Sequence, residues 1–204
     1  DEDLEGKLAN QAWRLVKRHG LRVLKSKWVI DFKMDDDGTI IKVKARFVAC
    51  GYAQDPGKDF DKTYAATLPG CCFRLWCSCV ADEDLETDSI DAIKAFTQGD
   101  IDRKLYVDMP VGFQIDGYCL ELLKALEGIR QGAYIWFQKN KWAWNKVGMF
   151  SDLVEPNLYT HPTLAILSAV FADDVGTGFH ATIRAEYLAM RAEYGKLIKI
   201  DSPG

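Results

Sequence analysis

The stretch Leu164-Ala165-Ile166-Leu167-Ser168-Ala169-Val170-Phe171-Ala172-Asp173-Asp174 decides the fold. Its apolar run predicts a buried strand. Asp173-Asp174, followed by Gly176 and Gly178, predicts the tip of a hairpin. Two adjacent carboxylates at such a tip repel each other and lose hydration, which costs free energy unless something compensates. A hard divalent cation is the usual compensation, because carboxylate oxygens are what Mg2+ prefers. On these residues alone a plain polar turn explains the pair equally well, so the rest of the chain has to decide.

Asp91 is the natural third acid. Thr87-Asp88-Ser89-Ile90-Asp91 predicts a strand ending near Asp91, followed by a turn and a helix through Ala95-Phe96. One acid on one strand and an Asp pair on a neighbouring hairpin can hold two Mg2+ about 4 Å apart, clamping an attacking 3′-hydroxyl and a leaving pyrophosphate oxygen. That chemistry also needs cations for a triphosphate and an aromatic ring beside the sugar. Lys27–Lys33 and Thr39–Val48, joined by Asp36-Asp37-Gly38, predict a β-hairpin. Lys33, Lys44 and Arg46 lie on it and supply cations. Phe96, shortly after Asp91, is placed to wall the sugar. Each also has an ordinary reading: Arg46 as a solvated strand residue, Phe96 as core. The acidic triplet Asp35-Asp36-Asp37 is not a calcium loop, because aligning Gly38 with the loop glycine puts Lys33 and Lys44 at the end ligand positions.

At 204 residues and 48% hydrophobic, the chain suffices for one sizeable core or one domain with two lobes. A net charge of -4 argues weakly against a free-standing nucleic-acid binder. Locally, Lys7, Arg14, Lys17, Arg18, Arg22, Lys25 and Lys27 crowd the first stretch. Basic early residues beside later carboxylates suit a protein that holds phosphates and metal ions together, with a solvated basic face as the alternative. The acidic start Asp1-Glu2-Asp3 shows no secretory signal, and no apolar run approaches membrane-spanning length, so no membrane partner is expected. Cys71, Cys72, Cys77 and Cys79 do not have zinc-ligand spacing. The segment Cys71 to Val80 predicts a buried helix using cysteine as a small apolar residue. Reduced thiols fit an intracellular protein. Helices are also predicted over Ile135–Val147, whose Trp136, Trp142 and Trp144 read as core, with stacking of these lysine-interleaved aromatics on bases as the alternative, and over Ala181–Lys196.

An ordered series of motifs extends the reading. Asn10-Gln11-Ala12-Trp13-Arg14-Leu15-Val16 resembles N-x-T-W-x-L-V, and Lys27-Trp28-Val29 resembles K-W-V. Lys44-Ala45-Arg46-Phe47-Val48-Ala49-Cys50-Gly51-Tyr52-Ala53-Gln54 resembles K-A-R-L-V-A-x-G-[FY]-x-Q. Gly57-Lys58-Asp59-Phe60 and Thr63-Tyr64-Ala65 follow. Asp91, Ala95, Phe96 and Gly99 match D-V-x-x-A-F-L-x-G, and Tyr106 to Phe113 resembles Y-M-x-Q-P-x-G-F. Leu126-Glu127-Gly128-Ile129-Arg130-Gln131 with Trp136 resembles L-Y-G-L-K-Q-x-x-x-x-W, and Phe171-Ala172-Asp173-Asp174 fits [FY]-x-D-D. In this order, over nearly the whole chain, the series resembles the reverse transcriptase domain of copia-type LTR retrotransposons.

The resemblance implies an α+β fold: the fingers and palm of a right-hand polymerase, stopping before any thumb or RNase H region. Residues 1–86 would be the fingers side, and 87–204 the palm with an interposed helical segment. It implies Asp91, Asp173 and Asp174 as ligands of two Mg2+, with Mn2+ as a substitute. Lys33 and Arg46 would contact the triphosphate. Phe96 would disfavour a ribose 2′-hydroxyl, and Gln131 would lie near the incoming nucleotide or template. The implied reaction is RNA-directed DNA polymerisation, with template-primer, deoxynucleoside triphosphates and the remaining polyprotein (thumb, RNase H, integrase) as partners. The implied location is cytoplasmic, in a virus-like particle, with the nucleus as the alternative. Departures from the pattern include Tyr64-Ala65-Ala66-Thr67, which lacks the expected Pro-Val, Ala92, Thr97, Gly132-Ala133 and Glu127, the last bringing negative charge beside the Gln131 motif. They keep open a decayed or domesticated copy that binds nucleic acid or protein without chemistry. A metal-dependent phosphohydrolase using the same acids is a further alternative.

Overall fold

The computed structural model describes residues 2–201. In chain order the elements are α1 (Glu2–Ala9), β1 (Trp13–Lys17), β2 (Val23–Leu24), β3 (Ser26–Met34), β4 (Ile40–Ala49), α2 (Gly70–Asp82), β5 (Glu86–Ala92), β6 (Tyr106–Val107), β7 (Tyr118–Leu122), α3 (Gly132–Lys146), β8 (Phe150–Ser151), β9 (Leu158–Thr160), β10 (Ile166–Phe171), β11 (Asp174–Phe179), α4 (Arg184–Leu197) and β12 (Ile200–Asp201). They fall into two units. The first is built from the chain up to Tyr64 together with Phe96–Trp136, the second from Ala65–Ala95 together with the chain from Phe137 onward.

The first unit holds a four-stranded sheet in the order β1-β7-β6-β2 and the separate two-stranded hairpin β3-β4. Its core gathers Leu24, Phe47, Val107, Leu120, Leu122 and Leu126, all nearly or fully buried. Trp13 and Trp28 meet the Phe47 ring edge-on at 5.6 and 6.0 Å, an arrangement that suits the aromatic quadrupole. Helix α1 is fastened to β4 by polar groups. Asp3 Oδ2 accepts from Phe47 N at 2.8 Å, and Lys7 Nζ donates to Phe47 O at 2.7 Å. Lys7 is fully buried, so its charge must be balanced. Asp3 does so at 2.6 Å, and Glu127 Oε2 lies 2.9 Å away at ion-pair distance, though not aligned as a hydrogen bond. Glu127, the departure that places negative charge beside the Gln131 motif, is thus a counter-ion for a buried lysine.

The second unit is a six-stranded sheet in the order β12-β5-β11-β10-β9-β8. Every neighbouring pair in it is antiparallel. Helix α4 covers one face: Tyr187 stacks on Phe179 at 4.1 Å and donates to Asp88 Oδ2 at 2.5 Å. Trp144 of α3 stacks on Tyr194 at 4.4 Å, and the Tyr194 hydroxyl donates to Asn140 at 2.7 Å. Helix α2 lies on the other face, with Trp76 over Gly176 and Val80 over Gly178. A side chain at Gly178 would bring Cβ to 2.8 Å from Val80 Cγ2, so glycine there permits the close approach.

Two expectations change. Helix α2 forms as the apolar residues predict, but it is not a buried helix. Cys71 and Cys77 are exposed, and only Trp76 is buried along its length. One narrow stripe of the helix meets the sheet, with Cys72 and Cys79 half-buried at its margins and Cys72 packed against the Leu68-Trp76-Ala169 cluster. Among the tryptophans of α3, Trp136 and Trp144 are core, while Trp142 is exposed with Lys139 Nζ 4.2 Å from its ring.

Candidate carboxylate site and hairpin cations

The hairpin of the Asp pair closes tightly. Phe171 and Asp174 are register partners at the ends of β10 and β11, so Ala172 and Asp173 alone make the turn. Two-residue hairpin turns demand a left-handed residue, and Ala172 supplies it at φ 56°. Strand β5 lies against β11 with Asp91 directly opposite Asp174. The Ala92 N–H donates to Asp173 O at 3.0 Å, which locks the turn to the end of β5. The period-two alternation explains the outcome: Ile90, Ala92 and Val175 are buried on one face, so Asp91 and Asp174 share the other. Asp91, Asp173 and Asp174 are all exposed.

On the far side of β5, Asp201 of β12 is also the register partner of Asp91. Three aspartates therefore stand in one row across the sheet, Asp201-Asp91-Asp174. Sequence reasoning missed Asp201. Its only signal is a two-residue extended stretch after a helix, too short to read as a strand. A groove of about 600 Å³ runs along the same sheet under α2, lined by Leu68, Phe73, Trp76, Ser89, Phe171 and Asp174 among others.

The acids are chemically suited to a hard divalent cation, because carboxylate oxygens are its preferred donors and opposed strands bring two of them within side-chain reach. Their backbones converge, but their side chains are not drawn together: among the described residues, no three His, Cys, Asp or Glu side chains gather around a common metal position.

The hairpin cations belong to the other unit. Alternation puts Lys27, Lys33, Lys42, Lys44 and Arg46 on one face of β3-β4, with Asp31 among them. Arg46 donates to Asp31 Oδ2 at 2.6 Å, while Lys44 stands opposite Asp31 and is exposed. Lys33 is exposed opposite Lys42.

Phe96 sits in a 3-10 turn, Ala95–Gln98, half-buried beside the start of α3. Gln131 is fully buried. Its Nε2 donates to Asp59 O at 2.8 Å and to Asp102 Oδ1 at 3.3 Å, and its Oε1 accepts from Gln54 Nε2 at 3.0 Å. It braces the Gly51–Asp59 loop. Asp59 in that loop is pulled two ways. Burial pushes its carboxyl up, but the Asp55 N–H and the Arg22 guanidinium outweigh it and hold the carboxyl below its ordinary value.

A family model described as reverse transcriptase (RNA-dependent DNA polymerase) matches residues 10–192. The chain is 34% identical over 142 residues to the retrovirus-related Pol polyprotein from transposon TNT 1-94 of Nicotiana tabacum, covering 68% of this chain and 11% of that protein. It is 25% identical over 181 residues to the retrovirus-related Pol polyproteins from transposons RE2 and RE1 of Arabidopsis thaliana, covering 85% of this chain and 12% of each. The chain thus spans only 11–12% of the length of these curated relatives.

Proposed function

The chain belongs to the reverse transcriptase (RNA-dependent DNA polymerase) family, and from that membership we propose that it is the fingers and palm portion of a copia-type retrotransposon polymerase. The reaction is template-directed nucleotidyl transfer. A DNA 3′-oxygen attacks the α-phosphorus of a deoxynucleoside triphosphate, and pyrophosphate leaves. The single observation that carries this reading is the register of Asp91 with Asp174, next to Asp173 in the turn.

Asp91, Asp173 and Asp174 would hold divalent metal, Mg2+ in the cell or Mn2+ in its place. When bound, the ions supply electrostatic stabilisation of the attacking and leaving oxygens. The rest falls to the chain's own residues. The sheet fixes the backbones of Asp91 and Asp174 side by side, and rotation of their side chains would bring them to a common ligand position. Lys33, Lys44 and Arg46 present positive charge for a triphosphate, with Arg46 held in place by Asp31. Phe96 offers a ring edge to the sugar. Gln131, expected near the incoming nucleotide or template, is buried and braces the Gly51–Asp59 loop. The partners are template-primer, nucleotide and the other parts of the polyprotein, and the setting is an intracellular particle.

One observation favours a second reading, a copy that binds nucleic acid without chemistry: the carboxylate side chains are not gathered. Two measurements separate the readings. Primer extension with Mg2+ by the polyprotein carrying this chain should be abolished by Asp91→Asn. Mn2+ binding followed by electron paramagnetic resonance on the chain itself should be lost with the same change. Binding of template-primer with neither metal uptake nor extension would establish the second reading.

A further inference from the structure

One face of the β3-β4 hairpin carries Ile30, Phe32, Met34, Ile40 and Val43, each half or more exposed. A lone two-stranded ribbon is marginal in water, and its edges leave backbone groups unpaired. We infer that the β3 edge pairs with the β3 edge of a second copy of this chain, antiparallel about a twofold axis at Phe32, to make one four-stranded sheet.

The backbone decides which residues can meet. Cys50 N donates to Lys25 O at 2.8 Å, and the β3-β4 register runs unbroken from Ser26↔Ala49 to Lys33↔Lys42. Along an antiparallel strand inward and outward groups alternate, so the N–H and C=O of Trp28, Ile30 and Phe32 point away from β4. Phe32 meeting Phe32 of the second copy can therefore exchange both hydrogen bonds.

Charge then selects the register. Centred on Phe32, Asp31 stands opposite Lys33 of the second copy, twice by symmetry, and Ile30 stands opposite Met34. Asp31 already accepts from Arg46 of its own hairpin, and a carboxylate has capacity for a second donor. The neighbouring registers centred between Ile30 and Lys33 are worse. Centring on Ile30 opposes Lys27 to Lys33, centring on Asp31 opposes two aspartates, and centring on Lys33 opposes two lysines. The β4 edge rejects itself. Its outward groups lie at Ala49, which already donates to Glu127 O at 2.9 Å, and at Phe47, Ala45 and Val43. Self-pairing at Val43 opposes Lys42 to Lys44, and self-pairing at Ala45 opposes Lys44 to Arg46. The lysines that would deter edge pairing elsewhere specify one partner edge here.

Sedimentation of the whole chain over a concentration series tests this, together with cysteine trapping. The wild type should show a monomer-dimer equilibrium. Lys33→Asp, which gains an opposite charge beside Lys42 in its own hairpin but opposes Asp31 across the axis, should weaken dimerisation by roughly tenfold or more. Under mild oxidation Phe32→Cys should form a disulfide-linked dimer above the wild-type baseline, because directly opposed strand residues lie within disulfide range. Ile30→Cys should not, being far from its own counterpart in this register. A chain that stays monomeric, as it would if another segment of a longer polyprotein or a different protein covers this face, overturns the inference. So does a dimer that Lys33→Asp leaves intact, or trapping that is equal at both positions.

Discussion

Asp91 and Asp174 stand directly opposite each other on adjacent antiparallel strands, although 83 positions apart in the chain. Like charges in that relation destabilise a sheet, and an ion bound between them would reverse the sign. The thermal midpoint of Asp174→Asn in a chelating buffer should therefore equal or slightly exceed that of the wild type. Adding Mg2+ should stabilise the wild type by about 2.7 kcal/mol once the ion reaches about 100 times its dissociation constant, and should leave the variant unmoved. A wild type whose unfolding ignores Mg2+ and Mn2+ alike would remove the metal from the site.

The legible parts of this fold were the local ones. Both hairpins announce themselves through short turns flanked by strand-forming runs, Asp36-Asp37-Gly38 and the Asp173-Asp174 tip, although the second turn closes one residue earlier than read, at Ala172-Asp173, with Asp174 already in the strand. The joining of β5 to β11 is non-local, and no residue of either strand states its neighbour; the strand-end position of Asp91 only suggested a partnership with the Asp doublet, which the family resemblance then implied. Helix α2 shows the opposite limit. Its apolar composition marks a helix but not how much of it is covered, because coverage depends on glycines across the sheet at Gly176 and Gly178. Lys7 was unreadable. A lysine in a basic stretch reads as solvated, and its burial rests on Asp3 and on two groups far along the chain, Phe47 O and Glu127.

That pairing gives the largest expected stability effect. Lys7→Met should cost about 3–5 kcal/mol in denaturant unfolding, since it strands Asp3 and Glu127 partly buried without their cation and leaves Phe47 O without a donor. Glu127→Gln should cost less, because Asp3 still balances the lysine. Equal losses for the two changes would mean that Glu127, not Asp3, carries the balance.

Gly128 should tolerate nothing larger. At φ 90° it sits in the left-handed region, and a Cβ there would lie 2.1 Å from the Ala49 carbonyl oxygen, which is backbone and has little room to yield. Gly128→Ala should destabilise the first unit by about 3 kcal/mol or more, combining φ strain with overpacking. Hydrogen exchange should report the loss in β4, where Ala49 N is tied to Glu127 O. Unchanged protection at Ala49 would refute the close approach.

The hairpin turn predicts a gain. Ala172 holds φ 56°, a conformation costing a non-glycine residue about 1–2 kcal/mol. Ala172→Gly relieves that strain but loses more unfolded-chain entropy, so the net stabilisation should be about 0.5–1 kcal/mol in urea unfolding. A loss of stability would show that the methyl group, not the backbone angle, matters at this turn.

Alkaline unfolding should be governed by the buried tyrosines of the second unit. Burial raises the hydroxyl pKa of Tyr159 and Tyr194, and burial followed by the hydrogen bond to Asp88 raises that of Tyr187. The folded state thus holds these protons more tightly than the unfolded chain does. The resulting stability is fully present below the unfolded tyrosine value of about 10 and is lost as pH climbs above it. Of the eight tyrosines, these three should ionise only as the second unit opens. Ultraviolet titration should therefore show a late tyrosinate step that coincides with loss of circular dichroism. Tyr187→Phe removes one of the three protons, so the alkaline limb should become shallower, while Asp88 loses one of its two partners, keeping Arg191, and the variant starts from lower stability at neutral pH. If all eight hydroxyls ionised together while the sheet remained folded, the packing of α4 on β5 and β11 described above would be wrong.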